Sequence, residues 1–166
     1  MSFGGWAINR ATFDYIRKIL PEGKTILELE SGEGTKELAE FYKMFSVESH
    51  PKWLNKFKTT YIHAPMRQYN ESYKAPPIDN NFAWYDFKVL EREIPKIKYD
   101  MIFVDGPEGI YGRGGFFKHL DMFNTNVPII FDDIERKPEF ELLTKVSEAL
   151  KKEYIILEDG KTGVIL

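Results

Sequence analysis

Apolar residues recur along this chain in two rhythms, a 3.6-residue helical period and short continuous runs, which predict helices and strands in alternation. Ile8, Phe13, Ile16, Ile19 and Leu20 fall near one helical face, and Pro21 and Gly23 stop it. Thr25 to Leu29 is a short apolar strand closed by Ser31-Gly32-Glu33-Gly34. Thr35 is placed to cap the next helix, which carries Leu38, Ala39 and Tyr42. Met44 to Glu48 predicts a second strand, Pro51 opens the first turn of another helix, and Thr60 to Ala64 predicts a third strand. Residues 66–82 have no clear period and contain Pro76, Pro77, Asn80 and Asn81, the marks of an irregular loop.

The second half continues the alternation. Trp84 to Ile94 predicts a helix ending before Pro95, and Tyr99 to Val104 a strand that finishes on Asp105-Gly106-Pro107. Gly109, Gly112, Gly114 and Gly115 follow, then a helix around Phe116–Phe123. Val127 to Phe131 is the next strand, ending on Asp132-Asp133, and Phe140, Leu143, Val146 and Leu150 have helical spacing. Tyr154–Leu157 and Gly163–Leu166 flank Asp159-Gly160, a hairpin signal. The order implies an α/β fold: a Rossmann-like, doubly wound, mostly parallel sheet of about seven strands, with helices on both faces and a C-terminal antiparallel hairpin. Residues 1–166 read as one domain, with neither an internal repeat nor a low-complexity linker. In such sheets ligands bind beyond the carboxyl ends of the strands. Glu28 to Gly34, Glu48, His63, Asp105 to Gly115, Asp132 and Asp133 all gather at those ends.

Composition narrows the chemistry. The chain has no cysteine, which excludes disulfides, thiolate zinc sites and a cysteine nucleophile. Net charge is −3 and the basic residues are interleaved with acidic ones, so nothing argues for a nucleic-acid partner. No apolar run approaches the ~18 residues of a membrane span, and no signal region opens the sequence, so a cytoplasmic protein without a membrane partner is expected. The 13 Phe and 9 Tyr read as core bulk before ring-stacking groups, and Trp53 and Trp84 are expected in the core rather than as platforms.

The stretch from Glu28 to Thr35 is a strand, a glycine-containing turn and a helix start, where backbone N–H groups can face a ligand. Glu48 ends the next strand, twenty residues after Glu28, where a carboxylate can take both hydroxyls of a ribose. The competing reading is a tight turn beside a surface glutamate; the two elements in register favour a nucleoside-type ligand.

These segments resemble the class I S-adenosylmethionine-dependent methyltransferases, in a small O-methyltransferase-like branch. The likeness runs through Ile26 to Thr35, Ser46 to Trp53, Tyr61 to Pro65, Trp84-Tyr85-Asp86, Tyr99 to Pro107, Gly112-Arg113 and Ile129 to Asp133. The resemblance implies S-adenosylmethionine as cofactor, with Glu28, Glu30, Ser31, Gly32, Gly34 and Thr35 at its methionine end and turn. It further implies Glu48 on the ribose, Ser49 and Ala64 bordering the adenine, Asp105 beside the cofactor and Trp6, after Gly5, as part of a lid. The family's acid-x-Gly-x-Gly pattern has glycine where this chain has Glu30. Glu30 would obstruct the cofactor or repel its carboxylate, or else point away or pair with its positive charge.

Asp105, Asp132 and Asp133 end two strands expected to be neighbours, an arrangement that suits Mg²⁺ or another divalent cation. It is similar to the cation-dependent O-methyltransferases, which commonly carry Asp-Asn where this chain has Asp-Asp. The alternatives are capping of a helix or pairing with Arg136. Arg113 on its glycine-rich loop could clamp a carboxylate or phosphate, or lie on the surface. His63 is either a general base or a structural group, and His50 and His119, on predicted helices, receive no role. The function implied is O-methylation of a small molecule or a sugar, with Asp105, Asp132 and Asp133 moving the hydroxyl proton, directly or through a metal. The alternatives are a non-catalytic binding or scaffold protein with an impaired cofactor site, and, less favoured, a nicotinamide-dependent dehydrogenase. A second subunit could complete the pocket, so a homo-oligomer stays open.

Overall fold

The structure is a computed structural model that describes residues 8–166. Trp6 and Gly5, the expected lid, lie outside the described residues. The chain runs α1 (Arg10–Ile19), β1 (Thr25–Leu29), α2 (Glu33–Leu38), β2 (Lys43–Glu48), β3 (Thr60–His63), β4 (Met66–Gln68) and β5 (Ala83–Tyr85). It continues with α3 (Phe87–Glu93), β6 (Met101–Val104), α4 (Gly115–Lys118), β7 (Ile129–Phe131), α5 (Lys137–Leu150), β8 (Tyr154–Ile156) and β9 (Gly163–Ile165). Seven strands form one sheet in the order β3-β2-β1-β6-β7-β9-β8. The first five are parallel, and β9 enters antiparallel between β7 and β8. Strand order reverses between β1 and β6, which places a cleft at their carboxyl ends.

Side chains alternate across this sheet and build a core on each face. On one face Ile26, Met44, Met101, Phe103, Ile130 and Val164 pack beneath Phe13 and Ile16 of α1 and Leu38 of α2. On the other, Leu27, Leu29, Val47, Ile102, Val104 and Phe131 meet Leu90 of α3, Phe116 of α4 and Leu143 and Val146 of α5. Glu28 and Ser46 lie in register on neighbouring strands, and the alternation puts both on the α1–α2 face. The doubly wound sheet with its terminal hairpin is therefore the expected architecture, with the helix layers on both faces.

Three local expectations are corrected. The stretch 66–82 is not wholly irregular, because Met66–Gln68 pairs antiparallel with Ala83–Tyr85. The helix expected from Trp84 begins only at Phe87. Ala83, Trp84 and Tyr85 are all buried, and a fully buried run cannot lie on a half-exposed helix. Asp86 then caps α3 by accepting from the Lys88 N–H at 3.0 Å. Thr35 does not cap α2 from outside: it lies within the first turn, where its Oγ1 accepts from the Gly32 N–H at 2.9 Å. Trp84 is core, as expected, while Trp53 is only half-buried, stacked on Phe57 with the Lys56 ammonium over its ring. Among the described residues no helix is long and apolar enough to cross a membrane.

Candidate functional site: the cleft at the strand ends

The turn after β1 brings three carboxyl groups together. Glu28, within the strand, is fully buried and accepts from the Ser46 hydroxyl on β2. Removal from water pushes its carboxyl up to about 8, against the Ser46 and Thr35 hydrogen bonds and with the charges of Glu48 and Glu30. Glu28 is thus a neutral acid under the α2 turn at neutral pH. Glu48 is equally buried, and both its oxygens are engaged. One accepts from the Ser31 N–H at 3.2 Å and the Ser31 hydroxyl at 2.5 Å; the other accepts from the His50 N–H at 2.9 Å.

Glu30 stands in the left-handed region at φ +72°, a conformation that favours glycine. Its side chain turns into the cleft. One carboxyl oxygen accepts from the Ser49 N–H at 3.2 Å and the Ser49 hydroxyl at 2.8 Å, and the other from the Tyr85 hydroxyl at 2.7 Å. Burial, and then the neighbouring Glu48, push the Glu30 carboxyl up to about 8, against the bonds from Tyr85 and Ser49. Gly106 makes room for this arrangement, since a Cβ there would overlap Glu30 and the Tyr85 hydroxyl. Glu30 therefore neither points away nor leaves the turn open. It lies beside Glu48 and bonds Ser49, the residues expected at the ribose and the adenine. Tyr85, to which sequence reasoning assigned no role, is the anchor for this side chain.

The ends of β6 and β7 supply the other wall. Asp105 keeps 38% of its side-chain surface open. Desolvation deep in the cleft raises it well above the usual carboxylate range; Arg113 pulls it down, while Asp132 and Asp133 push it up. Asp132 is pushed up to about 6 by burial and by the charge of Asp133. Arg113 is buried and spends its donors inward: on the Pro107 carbonyl at 3.2 Å, the Asp132 carbonyl at 3.1 Å and the Asp133 carboxylate at 2.8 Å. It is not a surface arginine, and no donor among these is aimed at a substrate. Arg136 also pairs with Asp133 at 3.1 Å.

A divalent ion does not fit these residues as they stand. Its place between the carboxylates is held by a guanidinium, and among the described residues no group of three or more His, Asp or Glu is arranged to hold a metal ion. Ala64 is buried at the end of β3 and donates its N–H to the Glu48 carbonyl at 3.0 Å. Gly34 packs closely on Ile8. His63 is exposed on the sheet's edge strand, His50 caps the turn at Pro51–Trp53, and His119 packs with Tyr73 and Phe87 in a cluster of three rings. An open cleft of about 550 Å³, lined by Lys36, Trp53, Lys56, Phe57 and Lys58, lies off the strand ends and contains none of these acids.

The raised Glu28 carboxyl has a consequence for stability. Its folded value of about 8 exceeds its ordinary 4.5, so between these values the unfolded chain ionises first and stability falls as pH rises. Glu28→Gln keeps the acceptor for Ser46 and removes this loss. At pH 6 it is expected to stabilise the fold by about 2 kcal/mol, and to flatten the pH dependence of urea unfolding. A variant less stable than the native chain at pH 6 would refute the neutral-acid assignment.

Neither a family model nor a curated sequence matches the chain. Solved structures do, at low identity. MycE methyltransferase from the mycinamycin biosynthetic pathway, solved in complex with Mg and SAH, is 12% identical with a TM-score of 0.58. That match covers 93% of this chain and 44% of MycE, so the chain spans less than half the length of that protein. A methyltransferase-like protein from Silicibacter pomeroyi is 19% identical at the same TM-score of 0.58, over 97% of this chain and 87% of its own. The strand order, the antiparallel β9 and these two likenesses give this chain the Rossmann-like fold of those methyltransferase structures.

Proposed function

We propose that this protein is an S-adenosylmethionine-dependent methyltransferase that methylates a hydroxyl of a small molecule or a sugar. The observation that carries the proposal is the polar cradle at the ends of β1, β2 and β5. Donors from Ser49 and Tyr85 converge there on one carboxyl group beside Glu48. The Glu30 carboxyl acts as a stand-in ligand, and it marks a place that takes oxygen. With Glu30 rotated outward, Glu48 would face the two ribose hydroxyls, Ser49 the adenine side and the turn from Ser31 to Gly34 the methionine end. MycE, solved with Mg, SAH and mycinamycin VI, supports a small-molecule acceptor.

The cofactor supplies an already activated methyl group, so the chain's own residues have two tasks, alignment and removal of a proton. Asp132 is suited to the second, because a base with a value near 6 is ionised at neutral pH and still accepts a proton. Asp105, which burial raises well above the usual carboxylate range, would be a hydrogen-bonding partner for the acceptor oxygen. No step is routed through a metal. Glu30 itself favours a second reading, a protein that keeps the fold with its nucleoside site closed. Calorimetry with S-adenosylhomocysteine and S-adenosylmethionine at pH 8.5 tests the first: both are expected to bind. Failure of both at millimolar concentration, in the native chain and in Glu30→Gly alike, would overturn it.

A further inference from the structure

We propose that the Arg113 guanidinium is the resident cation of the carboxylate cluster at the ends of β6 and β7, so that the protein works without a divalent metal. The inference deepens the methyltransferase reading of the same cleft, but its test reads metal binding and stands apart from that reading.

Arginine offers five N–H donors in a planar fork and is always charged. Here the Arg113 side chain is 5% exposed, and its Nη2 lies 2.8 Å from Asp133 and 3.6 Å from Asp105. Its Nε and Nη1 are spent on the carbonyls of Pro107 and Asp132. Burying a charge is costly unless it is paired and its donors are satisfied, and both conditions are met. The guanidinium is therefore built into the loop. Glu139, on the first turn of α5, adds to the negative field at Arg113, and its Oε2 has no hydrogen-bond partner.

A divalent ion in the same place would need several oxygens at about 2.1 to 2.5 Å, drawn from carboxylates now directed at the fork. It would also stand beside a buried positive charge in a medium that screens poorly. One cation excludes the other. Arg113 takes the backbone carbonyl of Asp132 and the carboxylate of Asp133. It thereby fixes the β7 end without taking a hydrogen bond to the Asp132 carboxylate. Arg113 is thus a positioning residue.

The probe is Mn²⁺, followed by electron paramagnetic resonance and calorimetry at pH 7.5, with thermal unfolding as the check on folding. The native chain and Arg113→Lys are expected to bind no Mn²⁺ up to millimolar concentration. Arg113→Met removes the charge and leaves the carboxylates uncompensated, so it is expected to bind Mn²⁺ at least tenfold more tightly than the native chain. That gain should vanish when Asp133→Asn is added. Native binding of Mn²⁺ that Asp133→Asn abolishes would overturn the proposal, as would a folded Arg113→Met with no gain. The native measurement decides the question even where Arg113→Met does not fold.

Discussion

Glu30→Gly is expected to bind S-adenosylhomocysteine about a hundredfold more tightly than the native chain at pH 7. In the native site a ligand must first displace a carboxyl held by three donors, two from Ser49 and one from Tyr85. At roughly 0.5 to 1.5 kcal/mol per hydrogen bond, losing these contacts sets a handicap of that order. Glycine also suits the φ of +72° without the cost of a side chain in the left-handed region. The second half of the prediction is its pH dependence. Glu30 faces Glu28 on its own strand, Glu48 and Ser49 at the end of β2, and Tyr85 on β5, and no cation pairs with it in these contacts. Inside, beside Glu48, its carboxyl titrates at about 8; rotated into water it would return toward its ordinary 4.5. Ligand binding then releases a proton throughout this window. Native affinity should rise about tenfold per pH unit up to about pH 8 and level off above it. The glycine variant should lack this slope, which separates Glu30 from any titration of the ligand itself. Equal affinities, or parallel pH profiles, would show that Glu30 is no obstacle.

The same residue shows how far the sequence could be read. That position 30 departs from glycine is visible in the run Glu28-Leu29-Glu30-Ser31-Gly32, and so is the left-handed turn it implies. The direction of its side chain is not visible, because its anchor Tyr85 lies 55 residues away in the sequence. The central parallel strands β1, β6 and β7 were legible because each is a short apolar run buried on both faces, bounded by glycine, proline or acid. Ala83–Tyr85 was not legible as a strand, since three aromatic and small residues fit a helical period as well as an extended one. The Asp86 cap was the signal that could have corrected it. Arg113 was marked as a candidate by its place after the glycines. Its inward turn depends on how residues 106–115 pack on Asn81 and Trp84, where Gly115 lets the Trp84 ring lie against the backbone. Local pattern thus identified the acids and the fold. Long-range packing decided which acids are raised by burial and which are paired.

That division assigns the proton transfer, and Asp132→Asn is expected to lower kcat about a thousandfold while leaving S-adenosylhomocysteine affinity within a factor of two. Two carboxyl groups whose surroundings hold them at different values can serve as donor and acceptor in one site. Asp132, at about 6, is ionised at pH 7 and can take the proton of the acceptor hydroxyl; burial raises Asp105 well above the usual carboxylate range. General-base assistance by a positioned side chain contributes about 10² to 10⁴ in rate, so the asparagine variant should fall within that interval. The native rate should climb with pH through about 6 and reach a plateau above it, because the base works only when ionised. Asparagine cannot ionise, so its residual rate should show no limb at 6. Asn preserves the side-chain shape, and the Arg113 bond goes to the backbone carbonyl of residue 132 rather than to its carboxylate, so the loop is expected to keep its place. A variant with the native kcat, or with an unchanged limb near 6, would move the base elsewhere. Asp105→Asn then supplies the contrast. Asparagine can still donate a hydrogen bond from that position, so its loss of rate should be smaller than that of Asp132→Asn at pH 7.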